Sequence, residues 1–538
     1  MKVLFITNYP SPYRVDFFNL LGQQCDLSVC FLNTPEEQKH RSDKWFNTDY
    51  SGFKAIFLNK ETNMLGVKPD IKDVLKNVFD YIIFGGYSSP TQMYAMEYLR
   101  YRKIPYYIEA DGGLIKHDSF IKKLIKKHFV SSASGYIGSG VNTRDYFVYY
   151  GANEKAVYDY NFTSQKSKDL IEAYSFLDDD KKLLKDILSF NDSYNVITVI
   201  DSSVQQVLSA INQISHCISQ NYNFWVLLRN TDIDESIVNA NKNIKIIRVN
   251  DDNEIAKYLV ASDLFLSFVF SDVNNFVMLA NVFCLPVVSV ADYVNVSFGI
   301  QQESEGYNSV ANRIINVLED RKLFEELANI GRTRLNNIIC SSENSDSETN
   351  CIELLRNTIR YVARKKLGLN NDQMVITVGQ FIHRKGFDIL LRASSDIDAD
   401  IYFIGGKPDD SYKSYQSDNV VFIDFLTKCE LRDYYRAADV FAMPTREDIW
   451  GLVVNEALSF GLPVVSSDKC VAGLELINPG QNGYIVPVED SQALAISINK
   501  AMSLKAIDSY KCICNYSLEN MVTRHIQIFE DIKRDTNG

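Results

Sequence analysis

The chain repeats one apolar framework, and that repeat limits its fold more than any other feature. Val196-Ile-Thr-Val199 recurs as Val375-Ile-Thr-Val378. Val260-Ala-Ser-Asp-Leu-Phe265 recurs as Arg436-Ala-Ala-Asp-Val-Phe441, Leu285-Pro-Val-Val-Ser289 as Leu462-Pro-Val-Val-Ser466, and Gly306-Tyr307 as Gly483-Tyr484. The separations are 179, 176, 177 and 177 residues, so the anchors stay in step over more than 100 residues. Two domains of one fold follow from that register. The copies differ in charge. After its first strand the later copy has Gln380, Arg384, Lys385 and Gly386, where the earlier has Asp201, Gln205, Gln206 and Val207. Glu456 of the later copy meets Leu279 in the earlier. A framework kept while charge is lost marks the charged residues as functional and the earlier copy as chemically silent.

The 538 residues exceed one core, since domains run to roughly 100–200 residues, and three units are expected. A composition with 46% apolar and 23% charged residues is that of a globular chain. Nucleic acid needs clustered Lys and Arg to neutralise its phosphates, and a net charge of −12 argues against it as the main partner. The ten cysteines include no Cys-x-x-Cys pair, and Cys512-x-Cys514 stands alone, a pattern of free thiols in a reducing cytosol. The six histidines show no metal-ligand spacing. The opening Met1-Lys-Val-Leu-Phe-Ile6 reads as a strand, because Thr7-Asn8 ends the apolar stretch too early for a signal peptide. No apolar run reaches the ~18 residues that a membrane span requires.

Residues 1–172 alternate short apolar runs (2–7, 27–32, 81–85, 106–109 and 135–138) with helical stretches such as 15–22 and 91–101. That alternation predicts an α/β unit with a parallel sheet covered on both faces. Ligands of such sheets sit at the carboxyl ends of the strands, which here are the loops 8–14 and 111–114. The silent copy spans 178–340. Ser341-Ser-Glu-Asn-Ser-Asp-Ser-Glu-Thr-Asn350 is too polar to bury and reads as part of a mobile linker, 341–355. The third unit covers 356–511. Residues 515–538 form a closing helix, with Met521, Val522, Ile526, Phe529 and Ile532 on one stripe.

Two loops carry the chemistry. Gly379-Gln-Phe-Ile-His-Arg-Lys-Gly386 follows a buried strand and leads into a helix at Phe387. A helix amino end attracts phosphate through free N–H groups and its dipole, and Arg384 and Lys385 add full charge there. The same residues alone would also suit a solvated basic turn. Pro444-Thr-Arg-Glu-Asp-Ile-Trp-Gly-Leu-Val-Val-Asn-Glu-Ala457 tips the balance. Gly451 again precedes a helix, so the amides of Gly451 and Leu452 are open to an oxyanion. Glu456, one turn on, can accept two hydrogen bonds from a vicinal diol such as ribose, at roughly 1.5–3 kcal/mol for charge-assisted bonds. Asp448, eight residues earlier, can face sugar hydroxyls.

On these motifs, with Ala438-Asp439-Val-Phe-Ala-Met-Pro444 and Gly461-Leu-Pro-Val-Val465, residues 356–515 resemble the nucleotide-binding half of the family-four retaining glycosyltransferases. These are glycosyl transferases of group 1 with the GT-B fold, two facing Rossmann-like domains. Residues 1–172 resemble the acceptor half through Asn8-Tyr-Pro-Ser-Pro-Tyr-Arg14, Ile108-Glu-Ala-Asp-Gly-Gly113 and Ile137-Gly-Ser-Gly-Val-Asn-Thr143. The likeness covers about 330 of 538 residues, and the silent copy is a third Rossmann-like domain inserted where the halves would join. It implies that Gly379, Gln380, Arg384, Lys385, Glu447, Gly451, Leu452 and Glu456 bind the donor, a UDP- or GDP-sugar. Lys385 would hold the diphosphate, Glu456 the ribose and Asp448 the transferred hexose.

Three departures from the family pattern stand out. Its first acid of Glu-x7-Glu is Asp448, with Glu447 one residue out of step. Its Arg after the strand glycine is Gln380, for which Arg384 is the nearby replacement. Its first-domain His is absent, and Asp111 is the candidate polar group near the anomeric carbon, with Glu109 and His117 as rivals. The resemblance implies no metal or other cofactor.

Residues 115–129 place Phe120, Ile121, Leu124, Ile125 and His128 on one helical face flanked by five lysines. This suits an anionic membrane surface and equally an amphipathic helix packed on the first sheet. The expected protein is therefore a cytoplasmic retaining hexosyltransferase, peripheral to the membrane, that builds a cell-surface glycan on a glycan or lipid-linked acceptor. The alternatives are a nucleotide-sugar epimerase or hydrolase of the same fold, and a non-catalytic glycan-assembly subunit.

Overall fold

The computed structural model describes residues 1–37, 49–116, 118–201, 204–218, 221–229, 241–268, 275–290, 304–370, 372–406 and 417–537. They form three parallel sheets flanked by helices, the α/β class that the alternation predicts. The first sheet contains β1 (Lys2–Thr7), β2 (Asp26–Phe31), β3 (Lys54–Phe57), β4 (Tyr81–Phe84), β5 (Tyr107–Ala110), β6 (Gly135–Gly138) and β7 (Val157–Asp159). Its order is β3-β2-β1-β4-β5-β6-β7. Strands buried on both faces, such as the fully buried Tyr81–Phe84, need unbroken apolar runs, and those were the readable ones.

The second sheet comprises β8 (Tyr194–Ile200), β9 (Tyr222–Arg229), β10 (Ile244–Val249), β11 (Leu264–Ser267) and β12 (Val287–Ser289), in the order β10-β9-β8-β11-β12. The third comprises β13 (Met374–Val378), β14 (Asp400–Ile404), β15 (Val420–Ile423), β16 (Val440–Met443), β17 (Val464–Ser467) and β18 (Gly483–Val486), in the order β15-β14-β13-β16-β17-β18. Five strands of the third sheet thus repeat the order of the second. The helix Asn275–Val282 holds Leu279 at the place where the helix Leu452–Ser459 holds Glu456. Leu279 is buried in the core of the silent copy, so burial has replaced charge there.

Three expectations need correction. Gly306-Tyr307 is not a second β18: both residues lie in the helix Ser304–Glu319, and the two-residue match does not carry structure. Gln205, Gln206 and Val207 do not lie in a loop matching 379–386. They fall in the helix Val204–His216, which starts four residues after β8 ends at Ile200, whereas Phe387 starts its helix nine residues after Val378. The silent copy has fewer residues between strand and helix where the third unit has its basic loop. Lastly, the segment 341–355 read as a linker is helix from Asp346 onward. Ser345 and Glu348 form a capping box, and Asp346–Leu367 follows with Cys351, Ile352, Leu355, Ile359 and Val362 buried. The Ser and Glu residues that looked mobile are the cap and solvated first turn of that helix.

Packing fixes how the units meet. The helix Asp346–Leu367 and Ala506, Ile507 and Tyr510 share one apolar core with the silent copy. Fully buried Arg436 donates to Asp180 at 2.8 Å across the same seam. The closing helix, Leu518–Asn537, returns to the first unit and packs on Pro12–Leu21. It buries Leu518, Met521, Val522, Phe529 and Ile532, with Ile526 half-buried. At ~1.5–3 kcal/mol per buried large apolar side chain, that stripe is ample to hold the helix. Tyr81 stacks on Phe529 at 5.0 Å and donates to its carbonyl at 2.6 Å. Among the described residues no helix is long and apolar enough to cross a membrane.

Candidate active site

The order of the third sheet reverses between β13 and β16, and ligands of open α/β sheets bind at such a switch point. The two chemistry loops leave those two strands. They touch: a Cβ on Gly386 would lie 2.0 Å from the Pro444 carbonyl oxygen, and Gly386 has φ +66°, so only glycine closes this corner. The Thr445 hydroxyl donates to the Arg384 carbonyl at 2.9 Å, and Arg446 N–H to the same carbonyl at 2.8 Å, pinning the basic loop to its neighbour.

Lys385 projects between them. Its stem passes over Gly379, where an added Cβ would be 3.5 Å from Lys385 Cε. Its ammonium donates to Asp448 Oδ2 at 2.7 Å, and Arg384 Nη1 stands 3.5 Å from the same oxygen. Lys385 and Asp448 side chains are only 14% and 15% exposed, so the pair sits in the wall of the cleft rather than in open solvent. Arg384 also donates to the Glu447 carbonyl at 2.9 Å. Half-buried Glu456 accepts from Tyr435 Oη at 3.0 Å. Burial pushes its carboxyl up, while Lys428 and Lys385 pull it back. Gly451 (φ +102°) opens the helix Leu452–Ser459, and the amides of Gly451 and Leu452 have no acceptor among the described residues. Gln380 is exposed at the start of the basic loop.

Glu447 points away from this group. Its carboxylate accepts from Lys116 of the first unit, so it bridges the cleft. Gly112 approaches from the same side: its Cβ would be 1.8 Å from the carbonyl oxygen of Ile449, next to Asp448. Its neighbour Asp111 belongs to a buried array. Asp111 accepts from Arg14, from Tyr13 Oη at 3.1 Å and from Tyr160 Oη at 3.2 Å. Arg14 also donates to Glu109 at 2.7 Å, and His525 of the closing helix stands 3.7 Å from the same Glu109 oxygen. Burial raises Glu109, but Arg14 and His525 outweigh it and hold the carboxyl at about 2. Burial pushes Asp111 the other way, up. Glu109 is fully enclosed and Asp111 keeps 23% exposure, so of these two carboxylates Asp111 is the accessible one. His117 lies outside the described residues.

The structure thus gathers Gly379, Arg384, Lys385, Asp448, Gly451, Leu452 and Glu456 at one switch point and brings the Asp111 loop against it. Sequence reasoning missed Tyr435, Tyr160 and His525. Arg14 lay in the loop that resembles the acceptor half but was given no role. Glu475 was also missed. It accepts from the N–H of Val141 at 3.1 Å and of Asn142 at 2.5 Å, capping the helix Val141–Tyr149 from across the cleft. Among the described residues no cluster of three or more His, Cys, Asp or Glu is placed to hold a metal ion.

Residues 372–503 match the sequence profile of the family described as Glycosyl transferases group 1. The third unit, with its reversal point and its two loops, is a domain of that family. A protein from the cps region of Klebsiella pneumoniae is 30% identical over 166 residues, 29% of this chain and 46% of that protein. Spore coat protein SA of Bacillus subtilis is 32% identical over 26% of this chain and 42% of its own length. D-inositol 3-phosphate glycosyltransferase of Mycolicibacterium smegmatis is 32% identical over 27% and 36%. The matches span less than half of these relatives. Among solved structures, Anabaena Alr3699/HepE in complex with UDP and glucose superposes over 99% of this chain and 100% of that one, at 12% identity and a TM-score of 0.41. That likeness is too distant to bear on the argument.

Proposed function

We propose that the protein is a retaining hexosyltransferase, moving a hexose from a UDP- or GDP-sugar to a glycan or lipid-linked acceptor in the synthesis of a cell-surface polysaccharide. The carrying observation is that Lys385, Asp448 and Glu456 all follow β13 and β16, the strands that flank the switch point of a group 1 domain. Lys385, Arg384 and the amides of Gly451 and Leu452 would take the diphosphate, and Glu456 the ribose hydroxyls. Asp448, released from Lys385 by the incoming phosphate, would turn to the hexose. Departure of the diphosphate builds negative charge where these cations already stand, and preorganised charge of this kind is commonly the largest catalytic term. The reading needs no metal, because the two side chains supply the counter-charge. Asp111, held by Arg14, Tyr13 and Tyr160, would face the sugar from the acceptor side as the polar group near the anomeric carbon. Contacts across the cleft at Lys116–Glu447 and Gly112–Ile449 support closure over the donor, which excludes water and limits hydrolysis.

One further observation favours a membrane-bound acceptor. The helix Phe120–Val130 does not pack its apolar stripe on the first sheet: Phe120 is 77% exposed, Ile121 71% and Leu124 50%. Of its residues only Val130 is buried. Apolar side chains left in water beside lysines fit an anionic bilayer surface, at ~1 kcal/mol per nearby cation. The test is incubation with UDP- and GDP-hexoses, with and without lipid-linked acceptors on anionic vesicles, and NMR of the product linkage. Transfer with the donor's anomeric configuration kept supports the reading. Donor consumed at the same rate without acceptor would place the protein among hydrolases or epimerases.

A further inference from the structure

A cavity of about 220 Å³ lies where the chain crosses between units, lined by Ser167 and Leu170 of the first unit, Tyr174, Cys340, Cys514 and Ser517. Cys340 ends the helix Arg321–Cys340 of the silent copy, and Cys514 caps the helix Ala506–Ile513 of the third unit. Those two helices pack on one another. The two thiols, both free, line this one cavity from the two packed helices. Cys340 is exposed, whereas Cys514 is half-buried, and burial pushes its thiol up to about 12.

The place matters as much as the pair. Both passages between the first unit and the rest of the chain run beside this cavity. Leu518 N–H donates to the Gln165 carbonyl at 2.8 Å, and Glu519 accepts from Ser167 N–H at 2.8 Å, so the outgoing and returning segments are tied together there. A bond between Cys340 and Cys514 would close residues 341–513, the whole donor-binding unit, into one covalent loop at its base. It would lock the silent copy to the third unit beside the passages to the first.

We propose that Cys340 and Cys514 are an oxidisable dithiol that forms a disulfide beside this cavity. The oxidant is a peroxide. The accessible Cys340 thiolate attacks it, an S–O bond forms as the O–O bond breaks, and water leaves after protonation. Cys514 sulfur then attacks the sulfenic sulfur, its proton leaves with the hydroxyl as a second water, and the S–S bond forms. Two thiols and one hydrogen peroxide become one disulfide and two waters. Accessibility sets the order of attack, because the enclosed thiol is held protonated until the sulfenic group takes its proton. The silent copy then has a role that its missing charges do not require: it carries one half of a redox staple.

The test uses the full chain, with hydrogen peroxide as the probe, followed by denaturing thiol titration and peptide mapping. The expected result is a fall from ten to eight titratable thiols, a linked peptide pair containing Cys340 and Cys514, and recovery with dithiothreitol. Oxidised protein should melt at a higher temperature than reduced protein. Cys340→Ser, an exposed change that leaves the fold intact, should abolish both the link and the shift, and Cys514→Ser should leave Cys340 oxidised but unlinked. Ten thiols surviving, a Cys512–Cys514 link in place of this one, or a melting shift that persists in Cys340→Ser overturns the proposal. These readouts do not depend on the nucleotide-sugar reading, so either can fail alone.

Discussion

The Lys385 ammonium rests on Asp448 Oδ2 at 2.7 Å, so the cation assigned to the donor is already paired with the acid assigned to the sugar. Arg384 sits 3.5 Å from the same oxygen, leaving the trio with one net positive charge facing the cleft. A diphosphate outcompetes a single carboxylate for two cations because it brings more charge and more acceptors. The pair therefore reads as a preset arrangement: it holds Lys385 over Gly379 until the phosphate arrives, and it frees Asp448 on binding.

Lys385→Ala should weaken nucleoside diphosphate binding by about ten- to a hundredfold, from the ~1.5–3 kcal/mol of a charge-assisted hydrogen bond. Asp448→Asn should behave differently, with nucleoside diphosphate affinity kept and turnover of the nucleotide sugar lost. Isothermal calorimetry and initial rates on the two variants separate these roles.

Glu456 should make donor binding depend on pH in one direction. Burial raises its pKa above 4.5, so on acidification it protonates earlier than an ordinary glutamate. The carboxylate that accepts the ribose hydroxyls is present above the raised pKa and lost as pH falls through it. Nucleotide-sugar affinity should drop with falling pH in that range, and Glu456→Gln should flatten the profile at low affinity. Tyr435→Phe removes the 3.0 Å bond that orients the carboxylate and should cost less than Glu456→Gln. Binding titrations from pH 4 to pH 8 measure this.

Glu109 predicts acid sensitivity of the fold. Its folded pKa is held at about 2, below the 4.5 of an exposed glutamate. A depressed carboxyl contributes stability that is complete above the unfolded pKa and is lost as pH falls through the folded one. Between pH 4.5 and about 2 the stability advantage of the wild type over Glu109→Gln should shrink, and above that window it should be constant. Denaturant melts of both proteins across that window give the comparison.

Glu475 should control closure without touching the donor. It caps the helix Val141–Tyr149 from the opposite unit, where a carboxylate gains from both hydrogen bonds and the helix dipole. Glu475→Ala should enlarge the radius of gyration of the donor complex in X-ray scattering and lower transfer about tenfold, with nucleoside diphosphate affinity changed by less than about twofold. A compact complex in the variant would remove Glu475 from the closure.

Leu124→Asp combined with Ile121→Asp should end co-sedimentation with anionic vesicles, since each change places a charge on the exposed stripe. Nucleoside diphosphate binding should stay as in the wild type. Equal sedimentation of wild type and variant would separate this helix from the membrane.

Much of the fold was legible because parallel strands buried on both faces announce themselves as apolar runs. The strands missed in the first unit, β3 and β7, are the two edges of the sheet, partly exposed and short, four and three residues. The repeat was legible through apolar anchors but misled at Gly306-Tyr307, where two residues were asked to fix an element that packing made helical. The polar run after Ser341 misled because a capped first turn and a solvated linker use the same residues. In the site, Lys385, Asp448 and Glu456 were visible because their spacing within two loops carries the motif. Glu475 and His525 were not, because each reaches its partner from a distant part of the chain, and Tyr435 was not, because it comes from a separate helix, Lys428–Ala437. Only the folded sheets bring those residues into contact.

The most direct test of the central claim is calorimetry of UDP, UMP and 2′,3′-dideoxy-UDP, or the guanosine set if that base stabilises the wild type, against wild type, Lys385→Ala and Glu456→Gln. A cleft in which Lys385 takes the diphosphate and Glu456 the pentose predicts that Lys385→Ala lowers affinity for the diphosphate far more than for the monophosphate. It predicts that Glu456→Gln lowers both alike and erases the preference for the intact ribose. Unchanged affinities in both variants, or no nucleotide binding by the wild type, would contradict the account.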